Sequence, residues 1–469
     1  MRLWLEWLDA VRSLRPACSR MRTFVWMTLS LIGLCCRADQ AGVTSYVRVL
    51  GFCEKAYKRF LYLFHTPSLD LDRLTAEWLK LCLRLFVPIT VGSRLVCLAD
   101  GLKAPKEGRK MPGVKRLHQE SNNNTKPEFI MGHSFQAISL LVQGPGGHAA
   151  AVPLVSRIHE GVVFSNRDRR TLLDKLAALL LSLAQLWSRQ VLLVADAYYA
   201  SGDLMAKLLA QGHHLLTRAK SNAVAFLPPP SSSCRRRGRP RVYGKKVRLK
   251  ELAAEQSKFV SAPSPVYGDN QVTLRYRCSD LIWRSASRLV RFVIVQHPKR
   301  GTIFLLCTDL TLEPLEIIQL YGFRFKIELG FRQALHVLGA YAYHFWMSNM
   351  TPIRRGQGDQ HLHRASQSYR DAVVRKINAF HRHVQLGCVA QGLLQHLAIN
   401  LSELVWDHLR TWFRTMNPTL PPSELVTAHA LRATLPEFLP SRRLDHNLRK
   451  ILKTYKAPDI GLDMQGRAA

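Results

Sequence analysis

Two aspartates follow apolar stretches that are typical of buried β-strands. Residues 93–100 (SRLVCLAD) end on Asp100, and residues 191–196 (VLLVAD) end on Asp196. Continuous apolar runs of this length favour strands covered on both faces of a sheet. Two carboxylates brought together repel each other unless a cation lies between them, and Mg²⁺ prefers carboxylate and phosphate oxygens. The pair therefore predicts a metal site, the alternative being two ordinary turn or helix-cap residues.

A third candidate carboxylate is Glu328, in the segment YGFRFKIELGFRQALHVL. Tyr321, Arg324, Glu328 and Arg332 follow one another at spacings that place them on one stripe of a helix. Such a stripe does not suit an apolar core, so we predict Glu328 on the metal and the arginines on phosphate. The alternative is a solvated face with Glu328 paired to Arg332. Asp309, which ends the apolar run TIFLLCTD, is a rival ligand that a turn also explains.

The elements that must position these residues are predicted from apolar periodicity as β-β-β-α-β-α-β. The predicted strands are 93–100, 132–143, 148–158, 191–196 and 213–219, and the predicted helices are 171–187 and 202–211. In this order the first and fourth strands lie side by side and run parallel. Their ends meet where the connectivity reverses, which is where open α/β sheets place their sites. A helix predicted at 312–340 would bring Glu328 to the same place.

The flanking regions have a different character. Residues 1–90 show helical periodicity and form either a helix-turn-helix DNA-binding domain or an ordinary helical bundle. Residues 91–345 form the predicted α/β domain, in which a β-rich insertion occupies about 221–311. Residues 346–469 are predicted to be a helical C-terminal region. The fold class is therefore α/β, a mixed sheet with a β-rich insertion between helical ends.

Charge composition points to a polyanionic partner. The 469 residues include 67 Lys and Arg against 33 Asp and Glu, a formal net charge of +34. Nucleic acid is the first candidate, with an anionic membrane surface as the alternative. The apolar run at 24–36 is too short to cross a bilayer, so we expect a cytoplasmic protein with no membrane partner. The ten cysteines lack the spacing of a zinc site.

Basic residues cluster in two segments. The loop after Asp100 is predicted to contact phosphates near the metals, or to be simply solvated, and it carries Lys103, Lys106, Arg109, Lys110, Lys115 and Arg116. A second cluster, RRRGRPR, resembles an AT-hook that enters the minor groove, or is a basic linker. The arginines of this cluster predicted to contact DNA are Arg235, Arg236, Arg237 and Arg239. Trp283 is either a core residue or a stacking platform for a displaced base.

Together these motifs resemble bacterial insertion-sequence transposases that have a ribonuclease H-like core. Asp100, Asp196 and Glu328 resemble their DDE triad, and YGFRFKIE matches the Tyr-x2-Arg-x3-Glu-x6-Lys signature of one subgroup. The segments DGLKAPKEGRKMPGVKRLHQES and LLVADAYYASG are similar to those around the first two aspartates of that subgroup. The resemblance covers roughly residues 90–345. The signature lysine is replaced by Leu335, and Arg332 lies on the same stripe.

The resemblance implies a function. It implies that the three carboxylates bind two Mg²⁺ ions, or Mn²⁺ in their place, and cut and join DNA by in-line displacement at phosphorus. The implied partners are double-stranded DNA, as transposon ends and target, and a second copy of the chain in the DNA complex. The implied location is the nucleoid of the bacterial cytoplasm. The alternatives are a noncatalytic DNA-binding protein of the same fold and a metal-dependent nuclease without strand transfer.

Overall fold

A helical layer precedes the sheet. The computed structural model describes residues 1–119, 127–230 and 241–458. The first helices are α1 (Arg2–Arg12), α2 (Met21–Cys36), α3 (Val43–Val49), α4 (Lys55–His65) and α5 (Leu71–Leu85). Helix α5 begins where the Asp70 carboxylate accepts hydrogen bonds from the main-chain N–H groups of Asp72 and Arg73.

The α/β part follows the predicted order. Its elements are β1 (Thr90–Val91), β2 (Arg94–Pro105), β3 (Lys115–His118), β4 (Phe129–Gln143), β5 (Ala149–Ile158), β6 (Val162–Val163), α6 (Leu172–Trp187), β7 (Val191–Val194), α7 (Gly202–Leu209) and β8 (His214–Arg218). Helix α6 begins with a capping box in which Thr171 and Asp174 each bind the other's main-chain N–H. Strands β1, β3 and β6 are short additions to the predicted set.

The remaining elements comprise an antiparallel region and the C-terminal helices. They are β9 (Val224–Phe226), β10 (Lys246–Arg248), α8 (Leu249–Ala254), β11 (Val260–Pro263), β12 (Thr273–Trp283), β13 (Arg288–His297), β14 (Gly301–Cys307), α9 (Pro314–Gly322), α10 (Phe325–His336), β15 (Gln360–His361), α11 (Gln367–Asn400), α12 (Ser402–Asp407), α13 (Glu424–Phe438) and α14 (His446–Tyr455). Strand β14 pairs antiparallel with β8, so β9 to β14 extend the core sheet. This extension is the β-rich insertion predicted from the sequence.

Strand pairing confirms the predicted topology at the centre of the sheet. Strand β2 lies between β4, to which it is antiparallel, and β7, to which it is parallel. Strand β8 continues the parallel arrangement beyond β7. Alternate residues of β2 face opposite sides, as the pleat requires. Leu95 and Cys97 pack in an apolar cluster with helices α5, α6 and α7, whereas Val96 and Leu98 pack in a second cluster with α9.

Two predicted boundaries are wrong in ways that affect the site. Strand β2 does not end at Asp100 but runs on to Pro105, because β4 continues to pair with it there. The helix predicted at 312–340 is two helices, α9 and α10, joined by a tight turn at Phe323 and Arg324. The N–H groups of these two residues bond to carbonyls three positions back, at Leu320 and Tyr321.

The long helix α11 joins the helical ends to the sheet. It lies along β5, an edge strand, and the buried side chains of Gln385 and Gln395 donate to the main-chain oxygens of Leu154 and Ala151. These contacts cover an edge that would otherwise present unpaired carbonyl groups. The same helix packs against α2, α4, α5 and α13. Residues from all three predicted domains therefore share one apolar cluster, and their division into domains stays a prediction.

The segment after α10 is extended and packed. Residues 350–369 are polar and rich in Gly, Gln and His, yet they include the buried side chains of Ile353 and Leu362. Strand β15 within this segment pairs parallel with β6. In the part of the chain that the structure describes, no helix has the length and apolarity that crossing a membrane requires.

Candidate active site

The two aspartates lie beside each other at the sheet centre. The last parallel pair between β2 and β7 joins Leu98 to Val194, and each aspartate comes two residues later in its own chain. Asp100 has the same parity as Leu98, which directs its side chain toward the face covered by α9 and α10. The side chain of Asp196 caps a short 3₁₀ turn by accepting a bond of 3.0 Å from Tyr198 N–H. The turn-residue and site hypotheses for Asp196 are thus compatible.

Arg324 bonds to both Asp100 and Glu328. Its Nη1 donates to Asp100 Oδ2 at 3.1 Å, and its Nη2 donates to Glu328 Oε1. One guanidinium therefore spans both carboxylates and brings strand β2 and helix α10 together. Glu328 pairs with Arg324 rather than with Arg332, the partner expected for a solvated face. The Glu328 side chain remains 51% exposed, so one side of the site is open.

The electrostatics of Asp100 reflect a concentration of negative charge. Burial, together with the charges of Asp196 and Glu328, raises the pKa of its carboxyl group to about 6. The Gly101 N–H and the Arg324 guanidinium act in the opposite direction without cancelling the shift. Both other carboxylates are therefore close enough to act on Asp100. The grouping of the three carboxylates as one metal site stays a prediction.

A set of buried hydrogen bonds holds the main chain around the aspartates. Gln136 Nε2 donates to the main-chain oxygen of Asp100 at 3.0 Å, and its Oε1 accepts from Tyr199 Oη at 3.1 Å. Thr217 Oγ1 donates to the main-chain oxygen of Asp196. Sequence analysis missed these residues. A polar Gln inside the apolar run of β4 was the available signal, since a buried amide requires partners.

Of the other predicted residues on this helical stripe, Tyr321 lies near the carboxylates and Arg332 makes no ion pair with them. Tyr321 is half-buried, and burial raises the pKa of its phenol, while a hydrogen bond from Arg218 lowers it. The charge of Asp196 also acts on Tyr321, which places this ring near the carboxylates. Arg332 is exposed on α10. Leu335, at the position of the signature lysine, packs partly against the apolar cluster instead.

The donor set suits a hard divalent cation. Asp100, Asp196 and Glu328 supply carboxylate oxygens, the ligands that Mg²⁺ and Mn²⁺ prefer. In the arrangement found, however, no group of three or more His, Cys, Asp or Glu side chains among the described residues is placed to hold an ion. Arg324 takes the position between Asp100 and Glu328 instead. The chemistry of the side chains fits a metal, whereas the three carboxylates as placed here are not arranged to hold one.

Asp309, the rival ligand, belongs elsewhere. Asp309 follows β14, which runs antiparallel to β8, whereas Asp196 follows β7, which runs parallel to β8. The two aspartates therefore lie at opposite ends of the strands. Its buried carboxylate pairs with Arg94 at 2.6 Å and accepts hydrogen bonds from Thr311. Asp309 is thus the turn residue of the alternative hypothesis.

The basic loop is mostly engaged with its own protein. Lys106 is only 6% exposed, and its Nζ donates to the main-chain oxygens of Tyr341 and Tyr343, which argues against the predicted phosphate contact. Lys115 is neutralised by Glu160 at 2.9 Å and Asp359 at 2.8 Å.

The other four side chains of this loop each have a partner within the protein, and Arg109 and Arg116 are exposed. Lys103 donates to His118 O, Arg109 to Ile353 O and Lys110 to Ser348 O, and Arg116 lies over the Phe129 ring. Trp283 packs partly against the apolar cluster, as the core alternative expects. The predicted AT-hook residues Arg235, Arg236, Arg237 and Arg239 lie outside the described residues.

Comparison with known families identifies the chain. The sequence model of the family described as DDE superfamily endonuclease matches residues 13–288. The chain belongs to this family. The match spans more than half of the DDE endonuclease and includes Asp100 and Asp196, whereas Glu328 lies beyond it. No curated protein matches the chain.

Family membership gives the fold and the general activity. The mixed sheet of this DDE endonuclease is a ribonuclease H-like core flanked by helical N- and C-terminal regions. The family indicates a nuclease-type enzyme acting on DNA, which agrees with the charge of +34. Divalent metals are typical cofactors of such enzymes.

Proposed function

We propose that this DDE endonuclease is a bacterial insertion-sequence transposase that cuts DNA at terminal inverted repeats and joins the ends to a target. The observation that carries the proposal is the convergence of Asp100, Asp196 and Glu328 on one face of the sheet, with Arg324 between two of them. The Tyr-x2-Arg-x3-Glu spacing supports the same subgroup, because Tyr321 lies beside Arg324.

In this mechanism the protein supplies a preorganised set of charges. Asp100, Asp196 and Glu328 would hold two Mg²⁺ ions, or Mn²⁺ in their place, which would supply activation of a water or a DNA 3′-hydroxyl and stabilisation of the leaving oxygen. Gln136 and Thr217 hold the main chain of the two aspartates through hydrogen bonds to its oxygens. Arg324, once displaced from the carboxylates, is positioned to contact the phosphate that is being cut. Both cleavage and joining are in-line displacements, so one site serves both.

The remainder of the proposal concerns partners. The helices of residues 1–90 would recognise the repeat ends, and the C-terminal helices would support a homodimer, because two ends must be cut together. Binding of double-stranded DNA draws on the positive charge of the whole chain. The expected location is the bacterial nucleoid within the cytoplasm.

A metal-dependent nuclease without strand transfer is the second candidate, and the endonuclease description of the family favours it. The two are separated by incubating precut transposon-end DNA with Mg²⁺ and a target plasmid. The transposase forms covalently joined products, whereas the nuclease yields none.

A noncatalytic DNA-binding protein of the same fold is tested separately. Asp100→Asn, Asp196→Asn and Glu328→Gln are each compared with the parent protein for cleavage of a plasmid carrying the DNA that flanks the coding region. Loss of cleavage by all three, with DNA binding retained, supports catalysis. Equal products from parent and variants would contradict it.

A further inference from the structure

A second surface with features suited to DNA lies along the segment 341–347, here called the aromatic strap. Its residues YAYHFWM alternate between inside and outside, as in an extended strand. The inward side chains are buried and the outward ones include His344 and Trp346. The inward set is Tyr341, Tyr343, Phe345 and Met347. The pattern fixes which side chains reach solvent.

The strap is firmly held, so the exposure of Trp346 is not that of a loose loop. Phe345 is buried, with its ring centroid 5.4 Å from that of Phe64 on α4. On the other side of Trp346, Met347 N–H donates to Lys110 O at 3.0 Å. Between these anchors the Trp346 side chain is 66% exposed. The backbone contacts on both sides of Trp346 thus fix where this aromatic ring meets solvent.

The Trp346 indole packs close to the backbone of Gly108. A Cβ added to Gly108 would lie 3.3 Å from Trp346 Nε1 and closer still to the Met111 side chain. The indole therefore lies next to the backbone of the loop that follows β2. Its ring is presented at the margin of the loop predicted to contact phosphates.

Cationic residues lie in the two segments that adjoin the ring. Arg109 and Lys110 lie in the adjoining loop, each using one donor on a main-chain oxygen of the segment after the strap. Arg354 and Arg355 are exposed in that same segment. Glu107 is the acidic residue nearest in sequence to Gly108. Positive charge beside an exposed aromatic is the combination by which proteins hold single-stranded nucleic acid.

The surface lies on the same side of the sheet as the carboxylates. Asp100 and Lys106 have the same parity on the extended chain of β2 and its continuation. Asp100 meets Arg324 of α10, and Lys106 meets the strap that follows α10. Six residues at about 3.3 Å each separate them by about 20 Å. The loop that contains Gly108 and contacts the Trp346 indole therefore begins about 20 Å along the chain from Asp100.

We propose that Trp346 is a stacking site for an unpaired base of bound DNA, with Arg109 and Lys110 contacting the adjacent phosphates. The proposal rests on the proposed function, since it requires DNA as the substrate. It adds a contact outside the carboxylate site and selects unpaired bases, because only these expose a free ring face. The Trp346 indole would hold the strand beside the point of cleavage or joining.

The test compares two DNA probes without divalent metal. One is a blunt duplex, and the other is the same duplex with a single-stranded overhang of about ten nucleotides, within the span of known single-strand sites. We expect Trp346→Ala to weaken binding of the overhang probe about tenfold and to leave blunt-duplex binding within about twofold. Trp346→Phe should retain most of the affinity for the overhang, because it keeps a stacking face.

Trp412 provides a matched control, since it is 76% exposed between α12 and α13. Trp412→Ala should bind both probes as the parent protein does. Equal affinity of Trp346→Ala and the parent protein for the overhang overturns the proposal, as does an equal loss for both probes. If the parent chain cleaves DNA while Trp346→Ala keeps full overhang affinity, the stacking site fails and the proposed function stands. If the parent chain binds the overhang through Trp346 but never cleaves DNA, the stacking site stands and the proposed function fails.

Discussion

At the scale of single residues, the site is an arrangement of like charges held together by one arginine. Asp100 is the most strained of these charges, because burial and two neighbouring carboxylates raise its pKa to about 6. An aspartate in an unfolded chain ionises near pH 3.9. Between about pH 3.9 and about pH 6 the Asp100 carboxyl binds its proton more tightly in the folded protein than in the unfolded chain, so the free energy of unfolding falls as the pH rises. Above about pH 6 the carboxyl is ionised in both states, and the loss of stability that its burial causes is complete.

Because the ionised Asp100 destabilises the folded protein, Asp100→Asn should stabilise it, since asparagine removes the buried charge and keeps the shape of the side chain. We expect the variant to be more stable than the parent protein by about 1–2 kcal/mol at pH 8, after allowing for partial exposure. The gain should disappear below about pH 4, where the parent carboxyl is protonated in both states. Urea unfolding at several pH values measures it. A variant less stable at pH 8 would contradict the account.

Asp309→Asn is the matched control with the opposite sign. Although burial acts to raise the pKa of Asp309, its hydrogen bonds with Thr311 and the charges of His214 and Arg94 hold it below the usual value. Its charge therefore stabilises the fold above about pH 4. We expect the variant to lose about 1–3 kcal/mol at pH 8 because Arg94 loses its charged partner.

Arg324 gives a second prediction at this scale. Its guanidinium lies where a cation would bind, so Arg324→Ala removes a competing positive charge from Asp100 and Glu328. Without DNA, we expect Mn²⁺ to bind the variant about tenfold more tightly. Electron paramagnetic resonance of free Mn²⁺ measures this directly. Asp196→Asn should weaken Mn²⁺ binding, and weaker or unchanged binding by Arg324→Ala would refute the competition.

At the scale of elements, much of the core was predictable. The β-β-β-α-β-α-β order and the adjacency of β2 and β7 followed from apolar runs, because a strand buried on both faces leaves a clear pattern. The extension of β2 past Asp100 did not, since GLKAP is a poor strand sequence that pairs only because distant β4 is long enough. The break between α9 and α10 was hidden as well. Its bonds to carbonyls three residues back preserve the side-chain periodicity.

The site residues were predicted to the extent that they carry charge. Asp100 and Asp196 were proposed from the ends of apolar runs and Glu328 from helical spacing, and their role as a site stays a prediction. Gln136 and Thr217 bond to main-chain oxygens, so the sequence shows each only as a polar residue in an apolar run. The burial of Lys106 could not be foreseen. It depends on carbonyl groups at Tyr341 and Tyr343, which sequence pattern does not place.

The packing of α11 gives a prediction for this scale. A Cβ added at Gly392 would lie 2.3 Å from Trp78 Cζ2, and the Trp78 indole is fixed by its bond to Pro153 O at 2.9 Å. We expect Gly392→Ala to reduce the free energy of unfolding by about 1–3 kcal/mol, since the overlap outweighs any gain in helix propensity. Gly358→Ala, where nothing lies within 4 Å, should change it by less than about 0.5 kcal/mol. Equal stability of both variants would show that α11 does not pack as described.

At the scale of the whole molecule, a formal charge of +34 makes DNA binding strongly dependent on salt. Each phosphate contact contributes about 0.9 to the slope of log affinity against log salt. Arg332 is exposed on α10 and makes no ion pair within the described residues, so Arg332→Ala should lower the slope by about 1. Arg170 is exposed too but is paired with Asp168 at 2.7 Å, so Arg170→Ala should leave the slope unchanged. Fluorescence anisotropy between about 50 and 200 mM salt measures these slopes. Equal slopes for both variants would show that Arg332 does not contact DNA phosphate.

The central claim is that Asp100, Asp196 and Glu328 together hold divalent ions at the point where DNA is cut. The most direct measurement is anomalous X-ray scattering from Mn²⁺ in crystals of the protein bound to a DNA end. The account predicts manganese peaks about 2.0–2.2 Å from carboxylate oxygens of all three residues, with Arg324 moved from between Asp100 and Glu328. Peaks at other residues, or none while Arg324 still bridges the two carboxylates, would contradict it.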